Sequence, residues 1–215
     1  MKSKQLLVFI AVSILLCLVT SCRDKDCRCK DALVSEKPPV EYNNLVKEAT
    51  LHYFGKYYME NDTTFMDTAL MRLDDAIRKG KKYYSAYYFK AFAYFTIGDY
   101  VGAVRTVDSA LTFSYSTPDL YFLKGLALDY LSKRTLADDA LQKASISFDE
   151  WLTCYPDSTN LIVGEIEYVA YCKGKDAALK RAEEYVRKHP KDETIIGYRD
   201  FIKEEPAYSI TFGRH

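Results

Sequence analysis

The 215-residue chain carries 30 Lys and Arg against 30 Asp and Glu, so its formal net charge at pH 7 is zero. Without excess positive charge it provides no field that attracts a polyanion, which sets nucleic-acid binding aside. Residues 22–215 are enough for one folded domain with a substantial hydrophobic core.

The N-terminal sequence is typical of a secretory signal. Lys2 and Lys4 precede an apolar run of fourteen residues, 6–19. A membrane-spanning helix needs about 20 residues, so we predict a signal-peptide core rather than a membrane span. The run leads into Leu-Val-Thr-Ser-Cys at residues 18–22, which resembles the lipobox of bacterial lipoproteins. That resemblance implies a signal peptide at residues 1–21 and a lipidated Cys22. An ordinary secretory signal with an incidental cysteine is the alternative.

The lipobox resemblance also implies a location. Two or three acyl chains on Cys22 would make the anchor effectively permanent, because a single chain holds only marginally. In that family an Asp directly after the cysteine favours retention in the inner membrane, but Arg23 stands there in this chain. We therefore expect a lipid anchor in the bacterial cell envelope, in the outer membrane. Whether the protein faces the periplasm or the outside is left open.

A charged segment without helical periodicity follows the signal. Residues 22–44 include two consecutive prolines and are predicted to form a flexible tether. The segment contains Cys27 and Cys29, and a bridge between them would close a very small, strained ring. Pairing with another chain and unpaired or modified thiols both stay open.

Apolar residues then recur at spacings of three and four, the pattern of amphipathic helices. Glycine, proline and capping side chains divide this pattern into separate helices. The predicted helices cover residues 45–59, 64–79, two that meet at Gly98 within 84–111, then 118–131, 135–153, 160–173, 176–188 and 192–204. Residues 207–215 form a short aromatic tail without periodicity.

Small residues in this helical region recur at a constant interval, which we call the repeat period. Ala69, Ala103 and Ala137 are evenly spaced along the chain. Their interval equals the length of about 34 residues at which helical hairpins recur in the tetratricopeptide repeat (TPR) family, which this region resembles. The resemblance is greatest at residues 84–116. The chain departs from the family pattern at Lys90 and Lys124, which stand where the family has Leu.

The TPR resemblance implies an all-α fold, a right-handed array of antiparallel helical hairpins. We expect a TPR-like α-solenoid of about four hairpins in residues 45–190, with a capping helix and C-terminal tail in residues 191–215. The third hairpin is expected to be longer than the standard unit. An unrelated all-helical bundle is the alternative.

In the TPR family the first helix of each hairpin lines a concave groove that holds a peptide or a partner helix. The residues at those positions here are mostly aromatic, which suits an amphipathic helix or a hydrophobic extended segment. The Lys and Asn residues of the carboxylate-clamping variant are missing, so that activity is not expected. The alternative is that these rings simply fill the core. The implied groove residues are Phe54, Tyr58, Tyr88, Phe92, Phe95, Phe122, Leu126 and Asp129.

Catalytic and metal-binding patterns are missing from the sequence. His52, His189 and His215 belong to no metal-spacing motif and to no nucleophile-centred signature. We therefore predict a protein that is not an enzyme and has no cofactor or bound metal. Cys154 and Cys172 end successive antiparallel helices and so lie at opposite ends of the pair, about 15 Å apart at the helical rise per residue. A disulfide needs Cα atoms within about 7 Å. We therefore expect both thiols to be buried and unbridged.

The resulting hypothesis is a membrane-anchored scaffold that binds another envelope protein or a peptide segment. The alternative is an accessory protein that binds a glycan or another small ligand through aromatic side chains. Trp151 is the usual type of residue for sugar stacking, but it lies in a second helix, away from the predicted groove. A third possibility is that residues 208–212 of the tail occupy the groove of their own chain.

Overall fold

The computed structural model describes residues 38–81, 83–113 and 117–204. The predicted signal peptide, Cys22, Cys27, Cys29 and the C-terminal tail lie outside these residues, and so does most of the predicted tether. Within the described residues, the secondary structure is helical and contains no strand. No helix among them combines the length and the apolar character that crossing a membrane requires.

A long first helix covers residues 40–60 in three segments, and a helix of equal length covers residues 134–154. The predicted all-α fold of antiparallel helical hairpins is confirmed. The elements are α1 (Val40–Lys47), a π-helical segment (Glu48–Phe54), α2 (Gly55–Glu60), α3 (Thr63–Lys79), α4 (Tyr84–Thr96), α5 (Tyr100–Phe113), α6 (Pro118–Tyr130), α7 (Arg134–Cys154), α8 (Thr159–Lys173), α9 (Lys175–Lys188) and α10 (Glu193–Glu204).

These helices belong to two compact units, with the boundary between Ser147 and Phe148. We call the described residues 38–147 the N-terminal unit and 148–204 the C-terminal unit. The boundary lies within α7. Each unit is described by itself below.

Positions with little or no side chain allow the helices of the N-terminal unit to approach one another. The evenly spaced alanines, Ala69, Ala103 and Ala137, are all completely buried. Gly125 on α6 lies against α7, where an added Cβ would come within 2.7 Å of the Leu141 side chain. Close helix packing therefore explains why small residues recur at the repeat period.

The turns after α4 and α6 share one hydrogen-bonded geometry, one repeat period apart. After α4, Gly98 has a positive φ of 84°, and the Asp99 N–H donates to the Tyr94 carbonyl at 2.9 Å. After α6, Ser132 has a positive φ of 58°, and the Lys133 N–H donates to the Leu128 carbonyl at 2.9 Å. Both are left-handed C-terminal caps of the kind that glycine normally occupies.

The two lysines that depart from the family pattern have a structural role. The ammonium of Lys90 on α4 lies 2.5 Å from the carboxylate of Asp74 on α3. The ammonium of Lys124 on α6 lies 2.6 Å from the carboxylate of Asp108 on α5. Both partners thus recur with the repeat period, and each ion pair joins the second helix of one hairpin to the first helix of the next. Partly exposed pairs of this type stabilise a fold only weakly, but they favour one pairing of helices over others.

The first helix begins at Val40, earlier than the Leu45 that periodicity predicted, so its first turn lies in the segment predicted as tether. Tyr42 explains this difference, because its side chain is completely buried. Its hydroxyl accepts a hydrogen bond from the Ala86 N–H at 2.9 Å and lies 2.8 Å from the Ser85 hydroxyl. Tyr42 therefore satisfies a free amide in the first turn of α4, which has no side-chain cap of its own.

In the C-terminal unit, α8, α9 and α10 pack around buried isoleucines and alanines such as Ile166, Ala182 and Ile195. A partly buried ion pair joins α8 to α9, where Arg181 Nε lies 2.9 Å from both carboxylate oxygens of Glu165. The Asp192 carboxylate accepts hydrogen bonds from two amides in the first turn of α10.

One expectation about this unit is wrong. Cys154 is disulfide-bonded, whereas the sequence pattern predicted an unbridged thiol. Cys154 and Cys172 are also half-buried rather than buried. Helix geometry constrains only the separation between these two cysteines, so it could not predict that Cys154 forms a bridge.

The cap at Ser132 generates a stability prediction. Ser132→Gly should raise the free energy of unfolding by about 0.5–1 kcal/mol, because glycine adopts a positive φ without the steric cost that a Cβ adds. Urea denaturation followed by circular dichroism measures this change. The matched control is Gly98→Ser, which should lower stability by a similar amount. An added Cβ at Gly98 meets no atom within 4 Å, so the cost there is conformational. A Ser132→Gly variant that is less stable than the native protein would contradict the steric cost assigned to Ser132.

Candidate functional site

All eight predicted groove residues lie in the N-terminal unit, on first helices of successive hairpins. Phe54 ends the π-helical segment and Tyr58 lies on α2. Three lie on α4 and three on α6. The structure therefore places the eight residues on the elements that the resemblance implied. Their joint role in binding stays a prediction.

The eight side chains differ in how far they are buried. Phe54, Phe92 and Phe122 are buried, with 2%, 8% and 8% of their surface exposed. The other five are half-buried, and none reaches the exposed class. The buried rings therefore act mainly in packing, whereas the half-buried side chains are the ones that a partner could reach. The half-buried five are Tyr58, Tyr88, Phe95, Leu126 and Asp129.

Three of the rings form a continuous aromatic stack across two hairpins. Phe54 and Phe92 have ring centroids 6.3 Å apart with planes at 30°. Phe92 and Tyr88, one turn apart on α4, have centroids 6.4 Å apart with planes at 14°. The stack runs from buried Phe54 through Phe92 to the half-buried Tyr88. Tyr88 is thus held in a fixed orientation by the rings behind it.

Tyr58 brings a polar group to the same helices. Its hydroxyl oxygen is buried close to the Thr96 hydroxyl. Burial raises the pKa of Tyr58 to about 12, although the nearby Thr96 hydroxyl opposes the shift. The Thr96 hydroxyl itself donates to the Phe92 carbonyl at 2.8 Å. The phenol of Tyr58 therefore stays neutral at physiological pH, and its hydroxyl is enclosed beside that of Thr96.

Phe95 does not belong to this stack. Its ring lies 5.3 Å from that of Tyr100 and 5.4 Å from that of Tyr130, edge-on to both. Tyr100 and Tyr130 stack on each other at 4.8 Å. We call the eight predicted groove residues the aromatic strip. The strip thus divides into the Phe54–Phe92–Tyr88 stack and a second aromatic cluster beside the inter-helix turns. The other three predicted groove residues lie on α6, on the N-terminal side of Tyr130; they are Phe122, Leu126 and Asp129.

Sequence reasoning missed Tyr100 and Tyr130 as members of a surface cluster. Tyr130 is 55% exposed, and partial burial of its hydroxyl raises its pKa, with further contributions from Tyr100 and Asp129. The sequence could have indicated this cluster, because the repeat period aligns the turn at Gly98 with the turn at Ser132. Tyr100 follows the first turn and Tyr130 precedes the second.

Within the described residues, titratable groups do not converge on a reaction centre. No three His, Cys, Asp or Glu side chains lie close enough together to hold a metal ion. The most perturbed carboxyl group is that of half-buried Asp119, because burial raises its pKa to about 6. Asp119 lies in the first turn of α6 and is not one of the eight residues of the strip. The arrangement is suited to contact with another molecule through ring faces and hydroxyls.

Comparisons with known proteins give a faint likeness. No protein-family model matches the chain, and no curated protein sequence matches it. Among solved structures, the chain is similar to YrrB, a TPR protein described as having an unusual peptide-binding site. The likeness covers 81% of this chain and 98% of that chain, with 17% sequence identity and a TM-score of 0.37. The functional proposal therefore rests on the geometry of this chain.

The difference in burial along the stack generates a second prediction. Phe92→Ala should lower the free energy of unfolding by about 3–5 kcal/mol, because it opens a cavity behind the stack. Tyr88→Ala, at the half-buried end, should cost only about 1–2 kcal/mol of lost apolar burial. Guanidinium unfolding of both variants measures the two values. Equal losses would show that Tyr88 is a core residue and would remove it as a contact for a partner.

Proposed function

We propose that this chain is a protein-protein interaction scaffold of the TPR type, anchored by lipid in the bacterial cell envelope. Its partner is another envelope protein or a peptide segment of one. The observation that carries the proposal is the pre-ordered aromatic stack, which ends in the half-buried Tyr88. Tyrosine on a rigid support supplies a large contact area at little entropic cost, and such rings dominate the energetics of protein interfaces.

The chemistry of the strip defines the kind of partner. The ring faces and the half-buried Leu126 form an apolar surface. Asp129 provides the only negative charge among the eight residues. An amphipathic helix or a hydrophobic extended segment complements such a surface. The scaffold acts by binding, and the proposal includes no chemical step.

The anchor is the second part of the proposal. The lipobox-like sequence at residues 18–22 supports lipidation of Cys22 after removal of residues 1–21. Arg23 supports sorting to the outer membrane. A charged segment between Cys22 and the first helix would let the scaffold work away from the bilayer surface.

Glycan binding through aromatic side chains is the weaker proposal. Trp151, the single tryptophan, is half-buried and its ring lies 5.9 Å from that of Tyr155. Sugar stacking needs an open ring face, so this packing counts against Trp151 as a platform. A glycan panel that raises the melting temperature of the purified protein would favour this function instead.

Partner binding should depend on the half-buried end of the strip. A tagged chain is cross-linked in its own membranes and recovered beside a Tyr88→Ala/Leu126→Ala variant, chosen because neither side chain is fully buried. We expect a partner that native protein captures and the variant loses. The control is Leu51→Ala/Met71→Ala, which removes side chains that are 59% and 67% exposed and lie outside the strip. A partner that both variants retain equally would refute the strip as the binding site.

Lipidation should depend on a single thiol. Cells expressing the full chain incorporate labelled palmitate, and the product partitions into detergent. Cys22→Ser should abolish both properties, because no thiol remains at the cleavage site to accept the diacylglyceryl group. Cys27→Ser is the matched control and should leave both unchanged. Continued labelling of the Cys22→Ser variant would show that the anchor lies elsewhere.

A further inference from the structure

A cleft of about 480 Å³ lies on the N-terminal unit, apart from the predicted groove. One side of α5 and the turn between α6 and α7 form its walls. None of the eight predicted groove residues lines it. The volume is within the range of about 300–1,000 Å³ that is typical of ligand-binding clefts.

The floor of the cleft is apolar. Val101 and Val104 on α5 and Leu131 in the turn provide it. Val101 is 50% exposed, and Val104 and Leu131 are half-buried. Exposed apolar side chains that cluster in a concavity, rather than occurring singly, are characteristic of interaction sites.

Positive charge surrounds this floor. Arg105 and Lys133 line the cleft and are exposed. Neither forms an ion pair with an acidic side chain in the described part of the chain. The one acidic residue in the lining, Asp108, is neutralised by Lys124 at 2.6 Å. The lining therefore carries two cations without a local counterion.

The remaining polar side chains in the lining serve the helix itself. The Ser109 hydroxyl donates to the Arg105 carbonyl at 3.0 Å, and the Thr112 hydroxyl donates to the Ser109 carbonyl at 2.7 Å. These hydroxyls thus use their donors within α5. Recognition by the cleft depends on its apolar floor and its two cations.

We propose that this cleft binds a short acidic and apolar segment of a partner protein. The apolar side chain of the segment packs on Val101, Val104 and Leu131, and its carboxylate pairs with Arg105 and Lys133. A guanidinium and an ammonium beside an apolar surface complement this combination by charge and by desolvation. The cleft is a second surface, distinct from the aromatic strip, so the chain can hold two segments at once.

Charge around the cleft favours a protein segment over an anionic membrane. Asp99 is exposed at the turn that precedes α5. Its charge would repel a flat, uniformly negative bilayer surface, whereas a short segment can enter the concavity and meet the two cations there. The occupant is therefore a segment with localised negative charge.

The test uses fluorophore-labelled octapeptide pools of fixed composition. The first pool combines two Glu with three Leu or Phe, the second replaces Glu by Gln, and the third replaces Glu by Lys. Fluorescence anisotropy measures binding to the purified protein. We expect the acidic pool to bind about tenfold more tightly than the Gln pool, and the Lys pool to bind more weakly still. Equal binding of all three pools, or of none, would overturn the proposal.

A charge-reversed variant then locates the site. Arg105→Glu/Lys133→Glu should lose the acidic pool and prefer the Lys pool, because the lining has changed sign. The control is Lys173→Glu/Arg187→Glu, which changes net charge equally at two exposed residues of the C-terminal unit. Both variants are checked by circular dichroism. Loss of the acidic pool in the control alone or in both variants would place the binding elsewhere and overturn the proposal.

Two further measurements distinguish this cleft from a membrane-docking surface and from the aromatic strip. Vesicles with one third anionic lipid are tested by sedimentation, and binding that Arg105→Glu/Lys133→Glu abolishes would identify a membrane-docking surface instead. Tyr88→Ala/Leu126→Ala should keep the acidic pool at native affinity. If that variant loses the pool, the segment binds the aromatic strip, and the inference fails while the proposed scaffold function stands.

Discussion

Close approach between helices is the constraint on which the rest of this structure depends. Completely buried alanines one repeat period apart, together with Gly125 against Leu141, bring neighbouring helices into contact. A larger side chain at such a position would separate a pair, because interiors are close-packed and little space is available to absorb it. The repeated caps and the two Lys–Asp pairs occur with the same period. They fix the order and direction of helices whose spacing the small residues already determine.

Periodicity predicted the helices, the turn at Gly98 and the elements that carry the strip, because these depend on residues close together in the chain. It could not predict the early start of the first helix, since burial of Tyr42 depends on the amide of Ala86 in a different hairpin. Lys90 and Lys124 were interpreted as departures from a pattern, whereas each completes an ion pair with a residue on another helix. Burial of Phe54, Phe92 and Phe122 was equally beyond the sequence, because a pattern indicates the face of a helix but not what covers it.

The N-terminal unit presents two surfaces of different chemistry. First helices of the hairpins carry the aromatic strip, whose rings hold one another in place. A second helix, α5, and the turn between α6 and α7 carry an apolar cleft with two cations. The aromatic strip suits a partner with a matching shape and apolar area. The cleft suits a segment with a negative charge at a defined position. The proposed scaffold would use these two surfaces to distinguish partners by composition, without a change in its backbone.

The π-helical segment at residues 48–54 has a consequence for how this chain can vary. Hydrogen bonds that reach one residue farther than in an α-helix accommodate an additional residue within a turn. Tyr42, Val46, Thr50 and Phe54 are buried at successive intervals of four, a spacing that drifts around a regular α-helix. The wider turn corrects that drift and returns Phe54 to the side that faces Phe92. Removing one residue from this segment would therefore shorten the helix without turning its buried face away from the core. The chain length can change here with little change in the packing of the helix.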